Sequence, residues 1–191
     1  MNLSNNYNKQ EINLHRAVQL ISLTGVNMLP HQPDDSHTTM AWYNEAKLLH
    51  GRSFELNGKE YSMGIRLYPF ELVLLDDQLA PVESMGIGGI DKPALYSIWE
   101  DWLRNLGFEG ELVNEVHYEL PQTPEYHAMR FQGLEKEFAD TWSKLRSLAN
   151  KAMKNLNTVS GIKSEVNIWP HHFDTGVYYP ITEKNNETVQ S

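Results

Sequence analysis

The sequence contains no cysteine, which excludes disulfides, zinc–thiolate sites, iron–sulfur clusters and thiol nucleophiles together. It has no run of about 18 apolar residues, the length a helix needs to cross a bilayer, so no membrane partner is expected. Positive charge is scarce: 16 Lys and Arg stand against 25 Asp and Glu, giving a net charge of −9. Nucleic acids and anionic membranes are recruited by basic patches, so no nucleic-acid partner is expected either. The opening stretch MNLSNNYNKQEINLH lacks the apolar core of a signal peptide, and the expected location is cytoplasmic.

What is present suits a single globular domain. The chain has 191 residues, 40% hydrophobic and 21% charged, enough to bury roughly 70% of the unfolded surface in one core. The domain is expected over 11–181, with flexible termini at 1–10 and 182–191. Leu14, Ala17, Val18 and Ile21 recur at helical spacing, and Gly25 and Pro30 mark the expected helix end. The next stretch, HQPDDSHTT from His31 to Thr39, reads as a loop. It carries two His and two Asp within seven residues, enough for a metal site although no ligand spacing is enforced.

Met40 to Asp76 reads as strands, with Asn57-Gly58 as a hairpin turn. Tyr61, Met63, Ile65 and Leu67 alternate onto one face. The Gly-rich run Met85 to Asp91 matches neither the P-loop nor the dinucleotide fingerprint, and Asp91 is expected to cap a helix over Lys92 to Leu106. Glu111 to Leu120 reads as a strand and Thr123-Pro124-Glu125 as a helix start. Leu134, Phe138, Trp142, Leu145, Ala149, Met153 and Leu156 form the apolar stripe of a long helix closed by Gly161. The order predicts an α+β fold, a mostly antiparallel sheet with helices packed on one face.

The densest chemistry lies between Ser164 and Ile181, where Trp169, Pro170, His171, His172, Phe173 and Asp174 are consecutive. Val166, Ile168, Phe173, Val177, Tyr178 and Tyr179 favour a strand. An unbroken pleat places Trp169, His171 and Phe173 on one face and Pro170, His172 and Asp174 on the other. His172 and Asp174 then stand side by side, as in iron sites of two His and one carboxylate. A third ligand must come from upstream, among His15, His31, His37, His50, His117 and His127. Without a metal, Asp174 orients His172 as a general base. The structural alternative is a His–Asp hydrogen bond beside an aromatic core.

Leu14-His15 and the segment Ser164 to Asp174, ending in Phe-Asp, give the chain a resemblance to the bacterial family of unknown function DUF5996. In that family a helix with a Leu-His pair precedes strands, two helices and a C-terminal strand of the form S-P-V-H-F-F-W-G-S-F-D-L-A. The likeness covers residues from about 11 to 180. His171-His172 stand where the family has Gly-Ser, so the resemblance favours Asp174 and His15 for any shared role. It implies a fold and no reaction.

Two functions follow from the residues. One is a small-molecule or acid/base site, with His172, Asp174 and His15 as catalytic or, for the first two, metal-binding groups. Trp169, His171, Phe173 and Tyr178 would wall it, and Arg66 would supply a cation for an anionic ligand. No cofactor is specified. The other is a noncatalytic interaction module, with the aromatic strand as a homodimer surface.

Overall fold

Every residue from Asn13 to Gly25 is buried. A helix apolar or enclosed all round belongs in the middle of a protein, and helix α1 (Leu3–Met28) is that element. The computed structural model describes residues 3–161 and 163–178, with side chains from residue 6 onward. The tail 182–191 and the strand end at Tyr179 to Ile181 lie outside them. Helix α1 starts eight residues before Glu11, so Leu3 to Gln10 is helical rather than loose, and Gln10 is itself buried.

Below α1 lies one antiparallel sheet. Its strands are β1 (Met40–Tyr43), β2 (Leu48–Gly51), β3 (Phe54–Leu56), β4 (Lys59–Arg66), β5 (Glu71–Asp76), β6 (Pro81–Gly86), β7 (Val166–Trp169) and β8 (Asp174–Val177). The order is β6-β5-β4-β2-β1-β7-β8, with β3 pairing the start of β4. Met63, Ile65 and Leu67 turn towards α1 with Leu49, Leu72 and Leu74. The opposite face carries only a small cluster of Leu48, Val73 and Leu75. The α+β architecture with helices on one face is therefore the observed one. At the β3–β4 hairpin, Asn57 and Gly58 both take left-handed φ, 50° and 72°, as the two-residue turn requires. Strand β6 was unreadable because all six of its residues are exposed, leaving no alternation to detect.

Helices α2 (Lys92–Asn105) and α3 (Lys136–Ser160) complete the core. Trp99 of α2 is 1% exposed, and its Nε1 donates to Thr24 Oγ1 at 2.9 Å. Asp91 stands at the start of α2 but makes no capping bond; its carboxylate instead receives Arg130 Nε at 2.8 Å. The α3 stripe is buried at Phe138 and Trp142, whereas Leu145 and Leu156 are exposed. The second half of the expected core stripe is thus surface.

The expected strand over Glu111 to Leu120 does not form. Its backbone is bound by a side chain: Asn27 Nδ2 donates to Val113 O at 2.8 Å, and Val113 N donates to Asn27 Oδ1 at 2.7 Å. The helix expected at Thr123 is a single turn, with Tyr126 and His127 amides on Thr123 O. Further along, Asn13 clamps both backbone groups of Gln132, Arg16 binds Ala128 O, and Gln10 accepts from Glu135 N at 2.7 Å. The polar residues of α1 satisfy the backbone of a segment that has no ladder of its own, as buried amides and carbonyls demand.

Candidate metal centre

Trp169 and Asp174 are cross-strand partners, because β7 and β8 form a hairpin. Pro170 to Phe173 are its turn, and Phe173 closes it with φ 62°. The strand ends before Pro170, one of the outcomes a proline implies beside an edge strand or a bulge, so the unbroken pleat through Pro170 does not form. The pleat that would set the His172 ring beside the Asp174 carboxylate is absent, and both residues are exposed.

The turn is nevertheless tied to α1 through His15. His15 Nε2 donates to Pro170 O at 2.6 Å, and Gln19 Nε2 donates to the same oxygen at 3.1 Å. Phe173 stacks on His15 with ring centres 5.4 Å apart and also packs on Trp142. It is a core anchor more than a pocket wall. Arg146 covers the Trp142 and Phe173 rings and binds Thr175 Oγ1. The structure thus brings His15 to the hairpin backbone, not to the His172 and Asp174 side chains. Tyr178 is 59% exposed. Arg66 is paired with Glu71 directly across β4 and β5, so its guanidinium already holds a carboxylate. Trp169 Nε1 donates to Asp34 O at 3.4 Å, and this contact leads to the loop after α1.

That loop holds a clustered set of donors. His31, Asp35 and His37 each place a potential ligand atom within 4.8 Å of the other two. Among the described residues this is the one such cluster of three His, Cys, Asp or Glu. Asp35 adopts left-handed φ of 56°, and a single 3-10 turn, Ser36–Thr38, follows. The Thr38 amide and hydroxyl both donate to Asp35 O, at 2.9 and 2.8 Å. Arg52 Nε ties Ser36 O to Thr39 Oγ1, while its Nη1 pairs with Glu165 beside β7.

Gly25 lets this loop reach the helix. Helix α1 runs through Gly25 and ends at Met28, just before Pro30, where the sequence places its end. A β-carbon at Gly25 would overlap the His37 carbonyl oxygen and lie 3.2 Å from Thr38 Cα. His37 is consequently 5% exposed, whereas His31 is on the surface. Burial lowers the His37 pKa and Asp35 opposes the shift. The ring is held neutral, the form that binds a metal.

A third histidine joins from the long irregular segment. His117 Nε2 lies 3.1 Å from Asp35 Oδ1. Tyr118 positions it, because its hydroxyl donates to Gln19 Oε1 at 2.6 Å and lies 2.9 Å from Ser22 Oγ on α1. The Tyr118 ring also contacts His171, which contacts His172. The sequence shows the His-rich loop and offers His117 only as a third ligand for the His172 and Asp174 pair, because it lies some 80 positions beyond the loop, within a stretch that reads as a strand.

The His15 environment makes a pH prediction. Burial, then the charges of His172 and His171 among the weaker causes, hold its pKa below the ordinary 6.5. The unfolded chain therefore takes up a proton near 6.5 that the folded chain refuses. The stability His15 contributes is complete above that pH and declines as pH falls towards the lower folded value. Thermal melting should drop across this window, and His15→Gln should flatten the profile. An identical pH profile in the variant would show that His15 is not the titrating group.

Comparison with protein families, with curated proteins and with solved structures gave no match to this chain.

Proposed function

We propose that the chain binds a divalent transition metal through His31, Asp35 and His37, with His117 oriented by Asp35, and uses it on a small molecule. The observation that carries this reading is the convergence of three donors, one of them a buried neutral imidazole, within 4.8 Å. Two imidazoles and a carboxylate suit zinc or iron(II). Donors sharing a tetrahedral zinc stand about 3.4 Å apart at bond lengths near 2.1 Å. The donors lie within 4.8 Å of one another, so a bound metal would have to draw the exposed His31 side chain inward.

Three protein ligands leave coordination positions open. A water bound there becomes acidic enough to act as a nucleophile near neutral pH, so hydrolysis is the reaction class this donor set supports. Trp169 and the His171-His172 turn stand beside the loop, so the hairpin first read as the site becomes its border. No helix among the described residues is long and apolar enough to cross a membrane. The resemblance to DUF5996 supplies no activity to this proposal.

The test is calorimetric titration of tag-free, chelator-treated protein with zinc. Saturation at one metal per chain is expected, with no saturable heat from His37→Ala. Absence of a saturable site in the wild type would sink the proposal.

A further inference from the structure

A second site shares no lining residue with the metal ligands. It is a cavity of about 190 Å³ between α1, α2 and the turn after Thr123. Arg16 lines it and is only 6% exposed. Buried guanidinium groups are normally paired with a carboxylate. Among the described residues Arg16 has no such partner: its bonds go to the carbonyls of Ala128 and Arg130 and to Asn13 Oδ1, and its remaining face covers the Phe131 ring at 4.5 Å. No Asp or Glu lines the cavity, in a chain where acids outnumber bases 25 to 16.

Tyr126 supplies the independent observation. It is 8% exposed, lines the same cavity, and its hydroxyl has no hydrogen-bond partner. Gln19 is near enough to act on it as a weak hydrogen-bonding neighbour, yet no bond of proper geometry forms between them. An orphaned buried hydroxyl costs stability unless something fills the need. Tyr96 is the other phenol of the wall. Burial pushes its pKa up to about 12 and that of Tyr126 higher still. Both therefore keep their protons at neutral pH and can donate to an anion. Phe131, Leu120 and Met129 give the lining its apolar part, Gln19 and His127 add polar groups, and the exposed Lys92 lies over the Tyr96 ring.

We propose that this cavity binds a small organic carboxylate with an apolar or aromatic body. Its carboxylate would meet Arg16 and the Tyr126 hydroxyl, and its body would lie against Phe131. The volume is below the roughly 300–1,000 Å³ of drug-sized sites, which fits a small acid and not a nucleotide. The site is independent of the metal and shares none of its ligands.

Benzoate is the probe, with benzamide as its neutral twin and inorganic phosphate as the anion without a body. Ligand-observed NMR on chelator-treated protein should show saturable benzoate binding, much weaker benzamide binding and no competition from phosphate. Tyr126→Phe should weaken benzoate about tenfold, the loss of one hydrogen bond to a charged group. It should leave melting unchanged or raised, because that hydroxyl has no protein partner to lose. Arg16→Met should abolish benzoate binding, but it also frees the Ala128 carbonyl, so Tyr126→Phe is the decisive variant. Equal binding of benzoate and benzamide, preference for phosphate, no binding, or unchanged affinity in Tyr126→Phe would each overturn the proposal. Zinc titration of Tyr126→Phe should match the wild type, which separates this site from the metal centre.

Discussion

Gly25→Ala is expected to destabilise the protein by about 1–3 kcal/mol and to abolish metal binding. In an ordinary helix interior the same change would stabilise by up to about 1 kcal/mol. Here the new methyl group meets the His37 carbonyl and Thr38 Cα, both backbone atoms, which cannot rotate aside as a side chain would. Overpacking of this kind costs about 1–3 kcal/mol, occasionally more, and outweighs the propensity gain. Relief requires the 3-10 turn to lift from α1, which carries His37 away from His31 and Asp35. Denaturant unfolding and zinc titration of one sample read both effects. Unchanged or increased stability would show that the loop is not seated on the helix.

Asp35→Asn is expected to weaken metal affinity at least about 100-fold, or about 2.7 kcal/mol. The substitution keeps size and tolerates the left-handed backbone that Asp35 adopts, so the effect isolates the charge. Asp35 is the only carboxylate in the donor set and also faces His117. Its loss removes a ligand and the group that orients a third imidazole, and partners of the latter kind alone are worth about 10–100-fold. Competition against a metal-binding dye measures the change. His172→Ala and Asp174→Ala should leave affinity unchanged, since neither contributes to the cluster. Equal losses at Asp174 and Asp35 would return the site to the hairpin.

Much of the fold was legible because its signals are local. The Asn-Gly turn, the alternation from Tyr61 to Leu67, and the Pro-started helix at Lys92 each declare themselves within a few residues. The misreading of the segment after Gly110 has a physical cause: backbone groups satisfied by distant side chains leave no periodic trace. Asn27 holding Val113 and Asn13 holding Gln132 turned an apparent strand into an irregular strap. The site was half legible. Local density drew the reading to His172 and Asp174, yet a turn at Phe173 broke the pleat on which their pairing rested. His31, Asp35 and His37 were visible as a loop. What made them a cluster was the left-handed Asp35 and the close approach at Gly25, and His117 came from a separate segment.

The most direct measurement is the metal content of tag-free protein purified without chelator, by mass spectrometry, beside His31→Ala, His37→Ala and His172→Ala. One zinc or iron per chain in the wild type and in His172→Ala, lost in both loop variants, is the predicted result. A metal-free wild type, or metal lost in His172→Ala and kept in His37→Ala, would contradict the assignment.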